Sequence, residues 1–188
     1  MTTETEVRTQ DEFDAAIQRG DKAICVSGSF AMTAGRGEIG LFAGTRLDVS
    51  GSGCATVHAW GSATVRAWDG ATVRAAGRAT VHASGCATVY AADSVIVHAW
   101  DSATVRAGDR ATVRAWERAS VCAVDRATVH ASDRATVHAG GRATVHASDS
   151  VIVRVFSPRA AKSVKGGQQI AVYDGGRIEA ASVPGGAA

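Results

Sequence analysis

The sequence predicts an all-β fold: a two-sided parallel β-solenoid with two octads, sixteen residues, per coil and an N-terminal capping helix. Three observations carry this. From Ala55 to Phe156 an eight-residue word, roughly Ala-Thr-Val-(Arg/His)-Ala-x-(Asp/Gly)-(Ser/Arg), recurs thirteen times without insertion or deletion. A short fixed period marks stacked units that cannot bury an apolar face alone. Positions one, three and five of the word are apolar, with Val at position three in every copy from Val57 to Val153. Positions two and four carry Thr and then Arg, His, Tyr or Cys, so five residues alternate inward and outward with the period of a strand. The last three positions, as in Trp68-Asp69-Gly70 or Gly108-Asp109-Arg110, supply the Gly, Asp and Ser that tolerate tight turns. Each word is therefore one short strand and one corner.

The small Ala-Val-Ala interior sets the coil size. Two facing sheets need only a thin core, whereas three words per coil would enclose a channel that such side chains fill poorly. With strands ~4.8 Å apart, the coils between residues 55 and 158 make a rod of roughly 30 Å. An antiparallel meander fits the same alternation, but its single apolar face needs a cover that no other segment is large enough to supply.

The flanks read as the ends of the rod. Residues 1–38 are expected to form an N-terminal cap, a helix over 10–19 plus a strand. Thr9 and Glu12 make a capping-box pattern, Phe13, Ala16 and Ile17 share one helical face, and Gly20 is placed to end the helix. Laid over the first coil, this helix would cover its open edge. Residues 39–156 form the solenoid, since Ile39 to Arg46 and Leu47 to Cys54 keep the eight-residue frame with larger apolar residues. The word breaks at Ser157-Pro158, and 157–188 are read as a closing hairpin around Ala171–Ile178 followed by a disordered tail from Val183.

Composition points to one cytoplasmic domain. The net charge of +2 is nearly balanced, no apolar run approaches the ~18 residues of a membrane span, and Met1–Glu6 is acidic and polar, unlike a signal peptide. The four cysteines are read as reduced thiols. Cys54 and Cys86 share a corner position two coils apart, about 9.6 Å by strand spacing and beyond disulfide reach. Cys25 lies in an apolar strand of the cap and Cys122 at an outward position.

Ala67-Trp68-Asp69-Gly70-Ala71-Thr72-Val73-Arg74-Ala75, like Ala99 to Ala107, resembles the Ala-Gly-Tyr-Gly-Ser-Thr-x-Thr octad of bacterial ice nucleation proteins. The likeness covers about residues 47 to 156. It implies two octads per sixteen-residue β-solenoid coil. In that family outward Thr-x-Thr arrays order water, whereas here the second Thr is Arg, His, Tyr or Cys in every copy. The family's coils nearest its C-terminal end exchange Thr for Arg and are associated with self-assembly. This chain resembles those coils more closely, which implies assembly rather than ice.

All six histidines (His58, His82, His98, His130, His138, His146) fall at the fourth position, shared with Arg66, Arg74, Arg106, Arg114 and Arg154. Sixteen-residue coils stack His82 on His98 and His130 on His146, within reach of a shared metal ion. No acidic or thiol ligand accompanies either pair, so they are read as an exposed basic, pH-sensitive ladder, with no metal and no cofactor expected. Ser, His and Asp recur only at equivalent surface positions, whereas catalysis needs a unique concave constellation, so no enzyme activity and no catalytic residue are expected.

The corners supply the candidate interface. Asp93, Asp109 and Asp125 stack along one edge and Asp101, Glu117, Asp133 and Asp149 along the other, with Arg110, Arg118, Arg126 and Arg134 nearby to interleave with them. Trp60, Trp68, Trp100 and Trp116 occupy the first corner position and point outward, with Trp100 and Trp116 one coil apart. Three classes of function follow. The first is a self-associating structural scaffold or spacer, a homo-oligomer through its Trp, Asp and Arg surfaces. The second is a binder of an anionic polymer such as nucleic acid, suggested by outward Arg and His columns and by seventeen Arg against three Lys. The third is ice binding or nucleation.

Overall fold

A computed structural model describes residues 4–25, 28–32, 37–42, 44–50, 55–157, 160, 164–165, 169–174 and 177–181, the last three segments by their backbone alone. The chain opens with β1 (Glu4–Val7), α1 (Gln10–Arg19), β2 (Lys22–Cys25), β3 (Ser29–Met32), β4 (Glu38–Leu41) and β5 (Arg46–Val49). Thirteen four-residue strands follow, β6 (Thr56–Ala59) to β18 (Ile152–Val155), each spanning positions two to five of one word. β19 (Val164–Lys165), β20 (Gln169–Asp174) and β21 (Arg177–Ala181) close the chain.

The strands divide alternately between two sheets. One has twelve strands, β1-β2-β4 and then every even strand to β20, ending on β21; the other has nine, the odd strands from β3 to β19. Every pairing is parallel except the β20/β21 hairpin. Within the repeats each residue pairs with its equivalent sixteen positions away, as Val97 does with Val81 and Val113. Parallel strands need a crossover, and here the strand of the opposite sheet is that crossover. The result is a β-solenoid of about nine turns.

Alternation does what the word implies. The Val at position three is completely buried in all thirteen words, and Ala at positions one and five is buried beside it, while positions two and four face solvent. The interior is thus a buried stack of Ala and Val two side chains thick, thin enough that β-branched Val from the two sheets fills it.

The N-terminal frame differs from the expected one. Ile39 pairs with Val57 and Leu47 with Val65, offsets of eighteen residues rather than sixteen, so both take the role of the position-three Val. Two extra residues fall in the corner between β5 and β6. The eight-residue spacing survives between β4 and β5 because inward alternation, not loop length, is what the core enforces. The ladders also begin ahead of residue 39: β2 and β3 pair in parallel with β4 and β5, and β1 with β2. Residue 39 bounds neither sheet.

Helix α1 occupies the place of the missing second-sheet strand in the first coil. Thr9 caps it, accepting the Glu12 backbone N–H, while the Glu12 carboxylate accepts the Thr9 backbone N–H at 3.2 Å; Gly20 ends it in the left-handed conformation. Phe13 and Ala16 are buried, with the Phe13 ring 5.5 Å from that of Phe30. The Gln10 side-chain amide donates to the Ala31 carbonyl and accepts its N–H, both at 2.9 Å, so it serves the edge of β3 as a neighbouring strand would. Cys54 and the tail from Val183 lie outside the described residues.

Candidate interaction surfaces

The corners explain the Asp/Gly choice at the word's seventh position. Every described corner from Gly61 to Asp149 places that residue at positive φ, between 50° for Asp109 and 76° for Gly77. Gly reaches this region freely and Asp more readily than most side chains. The N–H of position six and that of position eight bond to the preceding coil, as Trp100 N–H does to Ala83 and Ser102 N–H to Gly85. The N–H of position seven points the other way, toward the next coil. There the Asp carboxylate accepts it: Gly77 N–H to Asp93 at 2.9 Å, Asp93 to Asp109 at 3.2 Å and Asp109 to Asp125 at 3.5 Å on one edge. Gly85 to Asp101, Glu117 to Asp133 and Asp133 to Asp149 repeat the pattern on the other.

This corrects the expected interleaving. Among the described residues no ion pair joins Arg110, Arg118, Arg126 or Arg134 to a corner carboxylate; Asp109, Asp125 and Asp133 spend an oxygen on backbone instead. Repulsion within the column is offset by these N–H donors rather than by arginine. A side-chain hydrogen bond with Asp101, and then repulsion from its charge, raise the Glu117 carboxyl above the usual carboxylate range, against the Asp101 backbone N–H that lowers it.

The second sheet carries a column of flat rings. Trp68, Trp100 and Trp116 share one line along it, as sixteen-residue coils require, while Trp60 lies on the first sheet. Trp100 and Trp116 stack at 5.2 Å and 10°, each half-buried by its neighbours, while Trp68 keeps 36% of its surface exposed. His98 lies 5.9 Å from Trp100 and 6.0 Å from Trp116. His82 stacks on His98 at 4.9 Å, and His130 on His146 at 4.8 Å. Burial holds His82, His98 and His130 below the ordinary imidazole range, with Arg66 beside His82, His82 itself beside His98 and His146 beside His130 pushing the same way. Burial, not the shared Arg column, is therefore the leading cause. Among the described residues no three His, Cys, Asp or Glu side chains gather to hold a metal ion.

The first sheet carries His58 and His138 and a groove that the word pattern left unremarked. Tyr90 sits between Arg74 and Arg106, whose guanidinium carbons lie 5.9 and 5.5 Å from its ring centre. At position six the same coils have Ala76, Ala92 and Gly108, so an open groove of about 550 Å³ runs from Trp60 to Val124. The sixteen-residue period places Tyr90 between the two arginines and equally aligns Ala76, Ala92 and Gly108 beside it. Trp60 packs with Phe42 at 5.5 Å and His58 at 5.7 Å, and Phe156 covers His138 at 5.7 Å. Burial also lowers His58 and His138, the Glu38 carboxylate opposing it at His58. Of the cysteines, Cys25 is buried and its thiol pushed up to about 12, whereas Cys86 and Cys122 are exposed and free. No described helix is long and apolar enough to cross a membrane.

Compared with known proteins, the chain matches no family, no curated protein and no solved structure. What the geometry defines is a two-sheet parallel β-solenoid with basic and aromatic faces and corners that carry both Asp and Arg.

Proposed function

We propose that this chain is a non-enzymatic structural element, a rigid rod that associates with further copies of itself through its second sheet. The observation that carries the reading is the outward column of Trp68, Trp100 and Trp116 with His82 and His98 stacked beside it, held flat on one rigid face. Aromatic rings of this kind provide large contact area at little cost in side-chain freedom, and a regular face suits a self-complementary contact. The resemblance to the Arg-bearing coils of ice nucleation proteins points the same way. Sedimentation analysis tests it. The wild type is expected to be a dimer or larger at tens of micromolar, and Trp100→Ser with Trp116→Ser to shift it toward monomer; a monomeric wild type removes the reading.

A second reading rests on the first sheet. Arg74, Tyr90 and Arg106 alternate charge and ring along a groove lined by no carboxylate among the described residues, a pattern suited to an anionic polymer. Binding of this kind falls steeply with salt, whereas ring-to-ring association does not.

A further inference from the structure

We propose that the notch between Trp68 and Trp100 binds a nucleotide unit, its planar base held between the two indoles and its phosphate beside Arg66. This goes beyond self-association, because the notch is complete within one chain. The column at position six runs Trp68, Ser84, Trp100, Trp116 on successive coils. Where adjacent coils both carry Trp, one ring fills one coil spacing, with centres 5.2 Å apart and planes within 10°. Ser84 has no ring, so two spacings, roughly 9.6 Å of backbone, separate Trp68 from Trp100 and leave room for one ring.

The notch measures about 250 Å³ and is lined by Arg66, Trp68, His82, Ala83, Ser84 and Trp100. That is below the ~300 Å³ at which sites for drug-sized ligands begin, and it suits a single ring system. One wall is set before any ligand arrives: Trp100 is backed by Trp116 and lies 8° from the plane of His82, which is itself stacked on His98. Preorganised walls reduce the ordering cost of binding.

The same coil also changes its charge. At position seven it has Gly85, whereas the other described coils of this edge from residue 69 to 149 carry Asp69, Asp101, Glu117, Asp133 and Asp149. The Asp101 carboxylate is held at the corner by the Gly85 N–H at 3.1 Å, and among the described residues no acid lines the notch itself, while Arg66 does. Two indoles lining one notch, with a guanidinium beside them, match a base bearing a phosphate, and stacking on them tolerates any base because every base has a π face. That unit is either a free nucleotide or one base of a single strand.

The test follows quenching of tryptophan fluorescence by adenosine monophosphate and by an oligo(dA) of about eight nucleotides. Wild type and Ser84→Ala are expected to bind both. Ser84→Trp fills the notch with a ring already accommodated at the equivalent position of three other coils, and should weaken binding by roughly tenfold or more. Arg66→Gln should weaken the monophosphate but not adenosine, and ribose 5-phosphate should not compete. Similar affinity for both ligands assigns a free nucleotide; tighter, salt-sensitive binding of the oligomer assigns a single strand. Absence of binding at millimolar ligand, or binding undiminished in folded Ser84→Trp, overturns the proposal. So does a wild-type dimer that Ser84→Trp dissolves without any nucleotide binding, since the notch then receives an indole of a second copy. A monomeric wild type that still binds nucleotide would remove the self-association reading and leave this one standing.

Discussion

At the scale of the residue, the seventh position shows conformation and hydrogen bonding selecting the same side chain. Asp109 holds φ at 50° and accepts the Asp93 N–H, so it meets two demands where Gly meets one and Ala neither. Asp109→Asn should therefore stay closest to wild type, Asp109→Gly should lose a little stability, and Asp109→Ala should lose about 1–2 kcal/mol from left-handed strain alone. Denaturant unfolding of the three variants checks the order, and an Ala variant more stable than the Gly variant would refute it. The sequence displays the Asp/Gly alternation openly, yet charge stacking suggested repulsion and arginine pairing. Which way a corner N–H points is a property of the coil's path, and no spacing rule exposes it.

At the scale of the element, most of the fold was legible because one word repeats the same inward Ala-Val-Ala face without a slip. A slip of one residue would turn Val129 and its equivalents outward. Legibility failed where the word fails: between β5 and β6 the frame gains two residues, and the larger Ile39, Leu41 and Leu47 still find the interior. The helix was readable from Thr9, Glu12 and Gly20, but its role as a substitute strand was not, since that depends on Gln10 reaching Ala31. Phe13→Ala should cost about 3–5 kcal/mol by emptying the space against Phe30. In a solenoid whose units are held by nearest neighbours, that loss should fray the first coils before the rest. Hydrogen exchange should speed up in β2 and β3 while β10 (Thr88–Ala91) to β16 (Thr136–Ala139) stay protected; uniform loss of protection would mean the cap is coupled to the whole rod.

At the scale of the whole molecule, the faces are basic and aromatic and the corners carry Asp followed by Arg, so pH acts separately on face imidazoles and corner carboxylates. Five imidazoles sit below their ordinary range, each first through burial. The neighbours vary in sign. His58 faces Glu38, Arg74 and Lys22, and His82 faces Arg66, Arg46 and Asp48; His98 faces His82 and Arg114, His130 faces His146 and Arg114, and His138 faces Arg154. An unfolded imidazole titrates near ~6.5. Above that value both states are neutral and the full stability is present. As pH falls below it, the unfolded chain takes protons that the folded chain binds less readily, and stability drops until the lower folded values are passed. Glu117 opposes this, because its raised carboxyl gains a proton in the folded state first, but it is one group against five. Full protonation of the six histidines also takes the formal charge from +2 to about +8, which repels any second copy from the same faces. The melting temperature should therefore be lower at pH 5 than at pH 7.5, and self-association weaker. Thermal unfolding and sedimentation at the two pH values, with imidazole titration followed by NMR, measure this directly. Imidazoles that titrate at the ordinary value, together with an unchanged melting temperature, would refute the link between their burial and folding.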